Sequence, residues 1–489
     1  MLRPTIEEAK RYFKDYTVVP VSKEILSDVK TSVGVLKNFL NKDKRCFLLE
    51  SVESGESWGR YSFLGFDPKL SVSCNDGKVV VSNGAVKEIV TDNPAEVLRE
   101  ILSQYKSPKL DNLPPFTGGF VGYFSYDYIK YAEKSLKLEN RNAEKFDDLH
   151  LMLFDKVIAF DNLKQKIFII ANVSVKDFES NYKKTASEIE EIEKFITSQA
   201  EEKNVKSGLK SELVVLHSEK DFAGMVAKIK GHIHEGDIFQ AVISNGIEAK
   251  FEGNLLQTYR VLRTINPSPY MFYVNFGDSE IAGASPETLV TLQNGELTNY
   301  ALAGTVRRGK TEEEDVALID ALTKDEKELS EHNMLVDLGR NDLGKISEFG
   351  SVKVAEYKKI LKFSHVTHMA SIIKGKIKPQ YDQFDAIAAV LPAGTLSGAP
   401  KIRACEIINS LEKHKRGTYG GAIGYIDFTG NMDMCIAIRM AKLQNGKVYV
   451  QAGAGIVADS VAQKEYQECL NKAQAMITAI KIASEGEIK

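Results

Sequence analysis

The sequence predicts an α+β protein of two domains, built on large antiparallel β-sheets flanked by helices. Residues 1–175 alternate short apolar runs with turn signals, a pattern that is typical of antiparallel strands. The second half mixes strand and helix patterns without the regular strand–helix–strand rhythm of a parallel sheet. A stretch rich in Lys, Glu and Ser separates the halves. We therefore expect an N-terminal domain over 1–175, a charged helix and linker over 176–212 and a C-terminal domain over 213–489.

Turn and glycine signals locate elements in the first half. Asp76 and Gly77 stand between two β-prone runs, which predicts a hairpin with a two-residue turn. Gly118, Gly119 and Gly122 lie among aromatic residues. Glycine inside a strand pattern marks a bulge or a close approach of another backbone, so we expect tight packing there.

Two capping patterns mark helix starts in the second half. Ser218 and Asp221 form a capping pair for a helix that ends near Gly236. Ser460 and Gln463 form an S-x-x-Q capping box, so we expect the last helix to start directly after the glycine-containing segment before it.

Composition indicates a soluble globular protein. Hydrophobic residues make up 43% of the chain and charged residues 27%, and the net charge of -3 gives no general attraction to nucleic acid or anionic membranes. The N-terminal segment has no apolar signal-peptide core, and no run reaches the ~20 apolar residues that span a bilayer. Five scattered cysteines without a C-x-x-C pair argue against a disulfide framework or a thiolate zinc site. We expect a cytoplasmic protein.

The segment QAGAGIVADS near the C-terminus predicts a glycine loop that leads into a helix. Gly453 and Gly455 would offer backbone N–H groups to an anion. The helix then carries Glu465 and Glu468, whose carboxylates repel an anion. On this segment alone, Glu468 and Lys472 are best interpreted as an ordinary surface ion pair four residues apart.

A second acidic helix changes that interpretation. The segment TKDEKELSEHNMLVDLGRNDL places Glu328 and Glu331 on one helix face. Carboxylates on two helices beside a glycine loop suit a hard cation such as Mg²⁺, which takes one or two protein carboxylates and leaves positions for substrate oxygens. His332 follows Glu331 but points about 100° away around the helix, so we do not expect the two to share a metal.

In this order, the segments resemble those of the chorismate-utilising enzymes over nearly the whole chain. The similarity rests on LLESVESGESWGRYSFLGFDP, PPFTGGFVGYFSYD, GASPETLV, EHNMLVDLGRNDLGKI, LPAGTLSGAPKIRA, RGTYGGAIGY and VQAGAGIVADS. None of these motifs is a nucleotide P-loop. The resemblance implies a two-domain α+β fold with a catalytic cleft, Mg²⁺, and chorismate, a dicarboxylate. One substrate carboxylate would lie at the glycine loop and the metal would bridge the other.

Matching motifs imply which residues form the site. Glu331 and Glu468 would bind the metal, with Glu328 and Glu465 supporting it through water. Arg439 suits a carboxylate because guanidinium binds one with two parallel hydrogen bonds. The residues that would hold chorismate are Gly304, Thr305, Tyr419, Arg439, Gly453, Ala454, Gly455 and Lys472.

The resemblance also implies a two-stage reaction. Ammonia adds at ring carbon 2 while the carbon 4 hydroxyl leaves, and pyruvate is then eliminated to give anthranilate. Glu287 in GASPE would be the general acid for the leaving hydroxide. His368 would support the elimination, with Thr395 beside the substrate. His365 lies three residues before His368 on a predicted strand and would face the other way.

Two positions favour the anthranilate-forming branch of the family. Gln240 stands where water-adding members carry a lysine base, and Ala303 stands where many aminodeoxychorismate synthases carry a lysine nucleophile. Two alternatives stay open: an aminodeoxychorismate synthase of folate synthesis, and a catalytically silent tryptophan-sensing subunit. Ala301 replaces a usual proline, and the Asn245-Gly246 segment lacks an arginine that is common in the family.

Feedback control and a partner subunit are further implications of the resemblance. The LLES segment is similar to the family's tryptophan site, in which Ser51 would contact the inhibitor and Pro269, Tyr270 and Met271 would line the pocket. The N-terminal domain would then be regulatory and the C-terminal domain catalytic. No cysteine lies in a G-x-C-x-G elbow, so ammonia would come from a separate glutamine amidotransferase subunit in a heterodimer or heterotetramer.

Overall fold

Two large antiparallel sheets and the helices around them form the protein. The structure, a computed structural model, describes residues 2–28, 30–42, 45–51, 59–138, 144–198, 207–362 and 366–486. The described strands are β1 (Val18–Leu26), β2 (Cys46–Glu50), β3 (Tyr61–Phe66), β4 (Leu70–Asn75), β5 (Lys78–Ser82), β6 (Val86–Val90), β7 (Gly119–Phe124), β8 (Leu149–Phe154), β9 (Lys156–Asp161), β10 (Lys166–Ser174), β11 (Gly208–Leu209), β12 (Val214–Val215), β13 (Gln240–Glu252), β14 (Tyr270–Asn275), β15 (Ser279–Ser285), β16 (Thr288–Gln293), β17 (Glu296–Arg307), β18 (Lys353–Lys362), β19 (Val366–Lys376), β20 (Gly398–Ala399), β21 (Ala422–Asp427), β22 (Met432–Ile436), β23 (Met440–Gln444) and β24 (Lys447–Ile456).

Helices cover the outer faces of the sheets. The described helices are α1 (Ile6–Ala9), α2 (Ser32–Lys42), α3 (Pro94–Ser103), α4 (Ile129–Ala132), α5 (Phe178–Thr197), α6 (Glu219–His234), α7 (Leu256–Ile265), α8 (Glu312–Lys324), α9 (Glu326–Gly344), α10 (Gln383–Val390), α11 (Lys401–Leu411) and α12 (Ala462–Glu485). Within the described ranges, none of them has the length and apolar character that crossing a membrane requires.

Each sheet joins strands from both halves of the chain. The first sheet runs β1-β10-β9-β3-β2-β14-β15-β23-β24-β13-β11, with β12 and β20 also paired to β13. The second runs β18-β19-β17-β16-β22-β21-β7-β8-β4-β5-β6. The predicted antiparallel α+β class is confirmed. Because N-terminal and C-terminal strands share both sheets, the proposed domain boundaries do not separate one sheet from the other.

Buried apolar side chains hold the layers together. Aromatic side chains such as Phe47 of the first sheet and Phe154 of the second are fully buried between the sheets. Helices α2, α5, α7 and α12 bury apolar stripes on the outer face of the first sheet, and α3, α9 and α10 do so on the second. Each such side chain contributes about 1.5–3 kcal/mol by burial. The predicted linker helix is α5, which buries Ile189 and Ile192 and so joins the core.

The local turn and glycine predictions agree with the structure. Asp76 and Gly77 form the two-residue turn between β4 and β5, with φ angles of 47° and 79°. This left-handed pair is the conformation that suits the twist of a hairpin. Gly119 lies so close to the Ile426 carbonyl on β21 that a side chain would collide with it. Close backbone packing is therefore confirmed at this glycine.

One of the two helix-start predictions is wrong. Ser218 caps α6 as predicted, because its hydroxyl accepts a hydrogen bond from the Asp221 backbone N–H. The Ser460 capping box is absent: α12 begins one residue later than expected, after Val461, which makes no side-chain cap. The Ser460 hydroxyl instead accepts from the Val457 backbone N–H and so stabilises the turn before the helix.

Candidate active site

The predicted glycine loop is a strand in the structure, so that prediction is corrected. Gly453, Ala454 and Gly455 lie inside β24, paired with Ser244, Ile243 and Val242 of β13. A glycine pair signals a close approach as well as a loop, and here the full pairing with β13 imposes the extended form. The glycine face of β24 points away from α12, whereas the Ala454 side chain is buried among the helices.

The two glycines let large side chains lie directly against β24. A Cβ atom on Gly453 would be 2.8 Å from the Tyr419 hydroxyl. A Cβ atom on Gly455 would collide with the Gln240 side-chain amide. Gln240 is 4% exposed, and its Oε1 has no hydrogen-bond partner among the described residues. The sequence marked Gln240 only as a branch indicator, because nothing local places it beside Gly455.

Lys472 on α12 connects the acidic helix to this strand. Its ammonium donates to the Gly453 carbonyl at 3.1 Å and pairs with the Glu468 carboxylate at 2.6 Å. The ordinary ion pair considered for this helix is therefore present. It lies at the glycine strand, and the Glu468 side chain is 48% exposed, so this side of the cleft is open to solvent.

Arg439 occupies a strained position between β22 and β23. Its φ of 52° is uncommon for a residue with a side chain. Its guanidinium donates to the Lys472 carbonyl at 2.6 Å. Burial lowers the pKa of Arg439, while Tyr419, Glu468 and Glu287 act against that decrease. The guanidinium therefore remains positively charged, and it lies among the residues predicted to form the site.

Glu287 is a buried acid whose proton is available near neutral pH. It is 9% exposed, and its Oε1 accepts a hydrogen bond from the Thr395 hydroxyl at 3.1 Å. Burial raises the pKa of Glu287 to about 7, against the opposing effects of Thr395, Lys472 and Arg439. A general acid works best with a pKa near the working pH, so this environment suits the predicted role.

His368 lies on β19 beside a bulge in β17. It pairs with Thr305, and the register shifts between Ala303 and Thr305 because Gly304 is an extra residue. Burial lowers the pKa of His368, and a hydrogen bond with the Gly304 backbone partly offsets this. The Thr305 side chain and all of His365 lie outside the described part of the chain.

Gly304 also brings the bulge close to the acidic helix α9. Its φ is 69°, which favours glycine. A Cβ atom there would be 2.8 Å from Leu322 and 3.4 Å from the Glu328 carboxylate. A side chain at this position would thus separate the strand from the acids.

The carboxylates of α9 and α12 repel one another. Burial raises the pKa of Glu328, and neighbouring acids, among them Glu331 and Glu468, raise it further. Burial also raises the pKa of Glu465, with Glu468 adding to it. A divalent cation would relieve this repulsion, and carboxylate oxygens are the ligands that Mg²⁺ prefers. The donor set therefore fits a hard cation.

The histidine beside these acids is not turned toward them. His332 is fully buried, its Nε2 lies 2.6 Å from the Ser371 hydroxyl, and burial lowers its pKa to about 4. Within the described residues, three potential metal-ligand atoms lie within 4.8 Å of one another at His232, Glu235 and Asp237, outside the cleft. Asp237 there is paired with an arginine side chain.

The walls of a second cavity, of about 340 Å³, include all four residues predicted to bind an inhibitor. Ser51, Pro269, Tyr270 and Met271 line it. Within the described chain, the buried Ser51 hydroxyl has no hydrogen-bond partner. The Tyr270 hydroxyl donates to Asp433 at 2.9 Å. The cavity has the size of small-molecule sites and combines aromatic walls with an unsatisfied hydroxyl.

The chain belongs to the family described as chorismate binding enzyme, which it matches over residues 44–478. Anthranilate synthase component 1 of Acetivibrio thermocellus is 46% identical over 499 residues, covering 100% of each chain. The corresponding protein of Aquifex aeolicus (strain VF5) is 39% identical over 502 residues, covering 99% of each chain. The resemblance drawn from the sequence is confirmed.

Solved structures agree with this relationship. Anthranilate synthase component I from Streptococcus pneumoniae TIGR4 matches with a TM-score of 0.74 and 39% identity, over 87% of this chain and 93% of that one. The menaquinone-specific isochorismate synthase of Escherichia coli matches with a TM-score of 0.70 and 18% identity, over 97% and 98%. At that identity the second match shows the fold alone.

Proposed function

We propose that this chain works as the large subunit of an anthranilate synthase, converting chorismate and ammonia to anthranilate and pyruvate. The observation that carries the proposal is Glu287, a buried acid bonded by Thr395 and flanked by Arg439 and Lys472. Such an acid can give a proton to a leaving hydroxide while the two cations hold a carboxylate. The relatives named as anthranilate synthase component 1 support the same reaction.

Each group has a separate task in this proposal. Glu331 and Glu468 would hold Mg²⁺, which would supply positive charge to a substrate carboxylate. Arg439, Lys472 and the backbone around Gly453 orient the rest of the anion. Tyr419 and the Gly304–Thr305 backbone complete the walls of the cleft. His368, on β19, supports the elimination of pyruvate, and burial favours the neutral form of its imidazole.

The first alternative is the folate-branch enzyme. Ala303, which precedes the Gly304 bulge, has no nucleophilic side chain, and Gln240 has a neutral amide where water-adding enzymes have a base. The first feature disfavours the folate-branch enzyme and the second disfavours water addition, so together they favour anthranilate formation. A catalytically silent subunit would have no need for an acid with its pKa raised to about 7 beside two cations.

Regulation and ammonia supply extend the proposal. The cavity around Ser51 would bind tryptophan as a feedback inhibitor, with residues 1–175 as the regulatory part and 213–489 as the catalytic part. All five cysteines are buried, so none is displayed as a glutaminase nucleophile. Ammonia would come from an amidotransferase subunit in a heterodimer or heterotetramer. Cysteines that form no disulfide also suit the cytoplasm, the location we propose.

The direct test is the reaction of the isolated chain. With chorismate, Mg²⁺ and ammonium at raised pH, the pure chain should form fluorescent anthranilate, because free ammonia is then present. With glutamine in place of ammonium it should form none, and adding the amidotransferase subunit should restore glutamine use. Absence of anthranilate with ammonium would contradict the proposed reaction, and glutamine use by the pure chain would contradict the separate partner.

The pH profile should reveal the Glu287 proton. Expressed per concentration of free ammonia, kcat/KM should fall as the pH rises through about 7, because burial raises the pKa of Glu287 to about that value and only its protonated form is an acid. The Glu287→Gln variant should be slow at every pH and lack this decline. A variant with parental rates and an unchanged profile would show that another group is the acid.

Filling the cavity around Ser51 should abolish inhibition by tryptophan without abolishing catalysis. Ser51→Phe would place a ring where the inhibitor binds, so tryptophan should no longer inhibit anthranilate formation. Ser103→Phe, at the exposed end of α3, is the matched control and should be inhibited like the parent. Equal inhibition of Ser51→Phe and the parent would show that tryptophan binds elsewhere.

A further inference from the structure

A buried ion pair lies directly behind the catalytic cleft. Arg416 is 3% exposed, and its guanidinium donates to both carboxylate oxygens of Glu412, at 2.8 and 2.6 Å. Glu412 directly follows α11, and Arg416 lies three residues before Tyr419. Neither member of the pair belongs to the site described above. A buried pair loses the hydration of both charges, so it is stable only where its remaining polar groups are also hydrogen-bonded.

Further donors of this guanidinium bind two separate segments of the site. Nη1 donates to the Leu396 carbonyl at 2.7 Å, and Nη2 donates to the Val242 carbonyl at 2.6 Å. Leu396 directly follows Thr395, whose hydroxyl donates to Glu287. Val242 on β13 is paired with Gly455 of β24. One side chain therefore fixes the chain next to Thr395 and the strand opposite Gly455.

Glu412 holds the same strand two residues further along. Its Oε1 accepts hydrogen bonds from the backbone N–H of Ser244 at 2.8 Å and from the Ser244 hydroxyl at 2.9 Å. Ser244 is paired with Gly453 of β24. The ion pair therefore holds β13 at the two positions that face the glycines of the site.

Two aromatic rings border the guanidinium. It lies 4.4 Å from the centroid of the Tyr126 ring and 5.9 Å from that of the Tyr419 ring. At these distances a ring attracts a cation, and the planar guanidinium combines this contact with several hydrogen bonds at once. Tyr419 is thus contacted from behind by Arg416, while its hydroxyl lies next to Gly453.

We propose that Arg416 is a positioning residue, which sets the geometry of Thr395, Tyr419 and the glycine strand β24 relative to one another. The inference rests on the proposed function, because it assigns a role in that reaction. Each segment that the guanidinium binds adjoins a residue of the cleft, so a displacement of the guanidinium is transmitted to all of them. Glu412 keeps the guanidinium in place.

The first measurement is the rate of Arg416→Lys with chorismate, Mg²⁺ and ammonium. Lysine keeps the positive charge beside Glu412, but its ammonium lacks the planar fork that binds the carboxylate and the Leu396 and Val242 carbonyls together. We expect kcat to fall by about tenfold or more, because small misplacements of catalytic groups have effects of that size. A thermal melt of each variant reports its folding.

The second measurement is the pH profile, which distinguishes positioning from a purely structural role. The Thr395 hydroxyl lowers the pKa of Glu287 against the increase that burial causes. Weaker positioning of this hydroxyl in Arg416→Lys would let that pKa rise. The decline of kcat/KM per free ammonia should therefore move to higher pH, as in Thr395→Val. The double variant should show no larger shift than Thr395→Val alone, because the hydroxyl is already absent.

A matched control is Arg403→Lys. Arg403 is an exposed arginine on α11 that pairs with Asp237 and Glu406, so its replacement should leave the rate and the pH profile as in the parent. Glu412→Asp is the second test variant, since it keeps the ion pair but shortens the side chain that holds the guanidinium. We expect a smaller loss of kcat and a shift of the profile in the same direction.

The outcomes separate this inference from the proposed function. A parental rate in Arg416→Lys, or a reduced rate with an unshifted profile, would overturn the positioning role. If Arg416→Lys does not fold, Glu412→Asp decides, and a parental profile in that variant would overturn the role. Failure of the parent chain to form anthranilate from ammonium would instead overturn the function.

Discussion

Glu331→Gln and Glu468→Gln should each reduce anthranilate formation more than about 100-fold, which corresponds to about 2.7 kcal/mol of transition-state stabilisation. Each change keeps the side-chain shape and removes one of the charges that Mg²⁺ would bind. Burial raises the pKa of Glu328, and neighbouring acids on α9 and α12 raise it further, so these carboxylates are held together at an electrostatic cost. Loss of the metal would leave a substrate carboxylate without its compensating charge.

A matched control distinguishes metal binding from general charge effects. Glu326→Gln removes a carboxylate from the exposed start of α9, the helix that carries Glu331, and should keep parental activity. Calorimetric titration should show weaker Mg²⁺ binding in the two site variants only. Near-normal turnover of both site variants at saturating Mg²⁺ would contradict the assignment of these two ligands.

His368→Ala should lose anthranilate formation by about 10²–10⁴-fold, the usual contribution of a positioned acid or base. His368 is half-buried beside the Gly304 bulge, and burial lowers its pKa and so favours its neutral form. An alanine there leaves the β17–β19 hydrogen bonds intact, and the thermal midpoint should change little.

His365→Ala is the control for this histidine. Its position on the other side of the strand stays a prediction, since it lies outside the described residues. We expect a mild effect on turnover. If His365→Ala is the severe variant and His368→Ala the mild one, the wrong histidine has been placed in the cleft.

Local sequence signals predicted elements well but could not predict which strands meet. The Asp76-Gly77 turn and the Ser218 cap depend on residues within a few positions, and both occur as expected. By contrast, β7 pairs with β21 about 300 residues away along the chain, so that Gly119 lies against Ile426. Such pairings depend on the burial of whole sheet faces, which no short window contains.

The site shows the same limit. Family motifs indicated residues from distant segments, such as Glu287, Thr395 and Lys472, which the structure brings into one cleft. The prediction of a loop at the glycine segment was wrong, because glycine is equally suited to a loop and to a strand in close contact with other residues. The contact of Gln240 with Gly455 could not be foreseen, since it depends on the pairing of β13 with β24.

The most direct test of the central claim follows the nitrogen atom. The chain is incubated with chorismate, Mg²⁺ and ¹⁵N-ammonium, and the products are identified by NMR. We expect ¹⁵N-labelled anthranilate to form, together with an equal amount of pyruvate. Labelled aminodeoxychorismate without pyruvate would place the chain in the folate branch, and unchanged chorismate would contradict catalysis altogether.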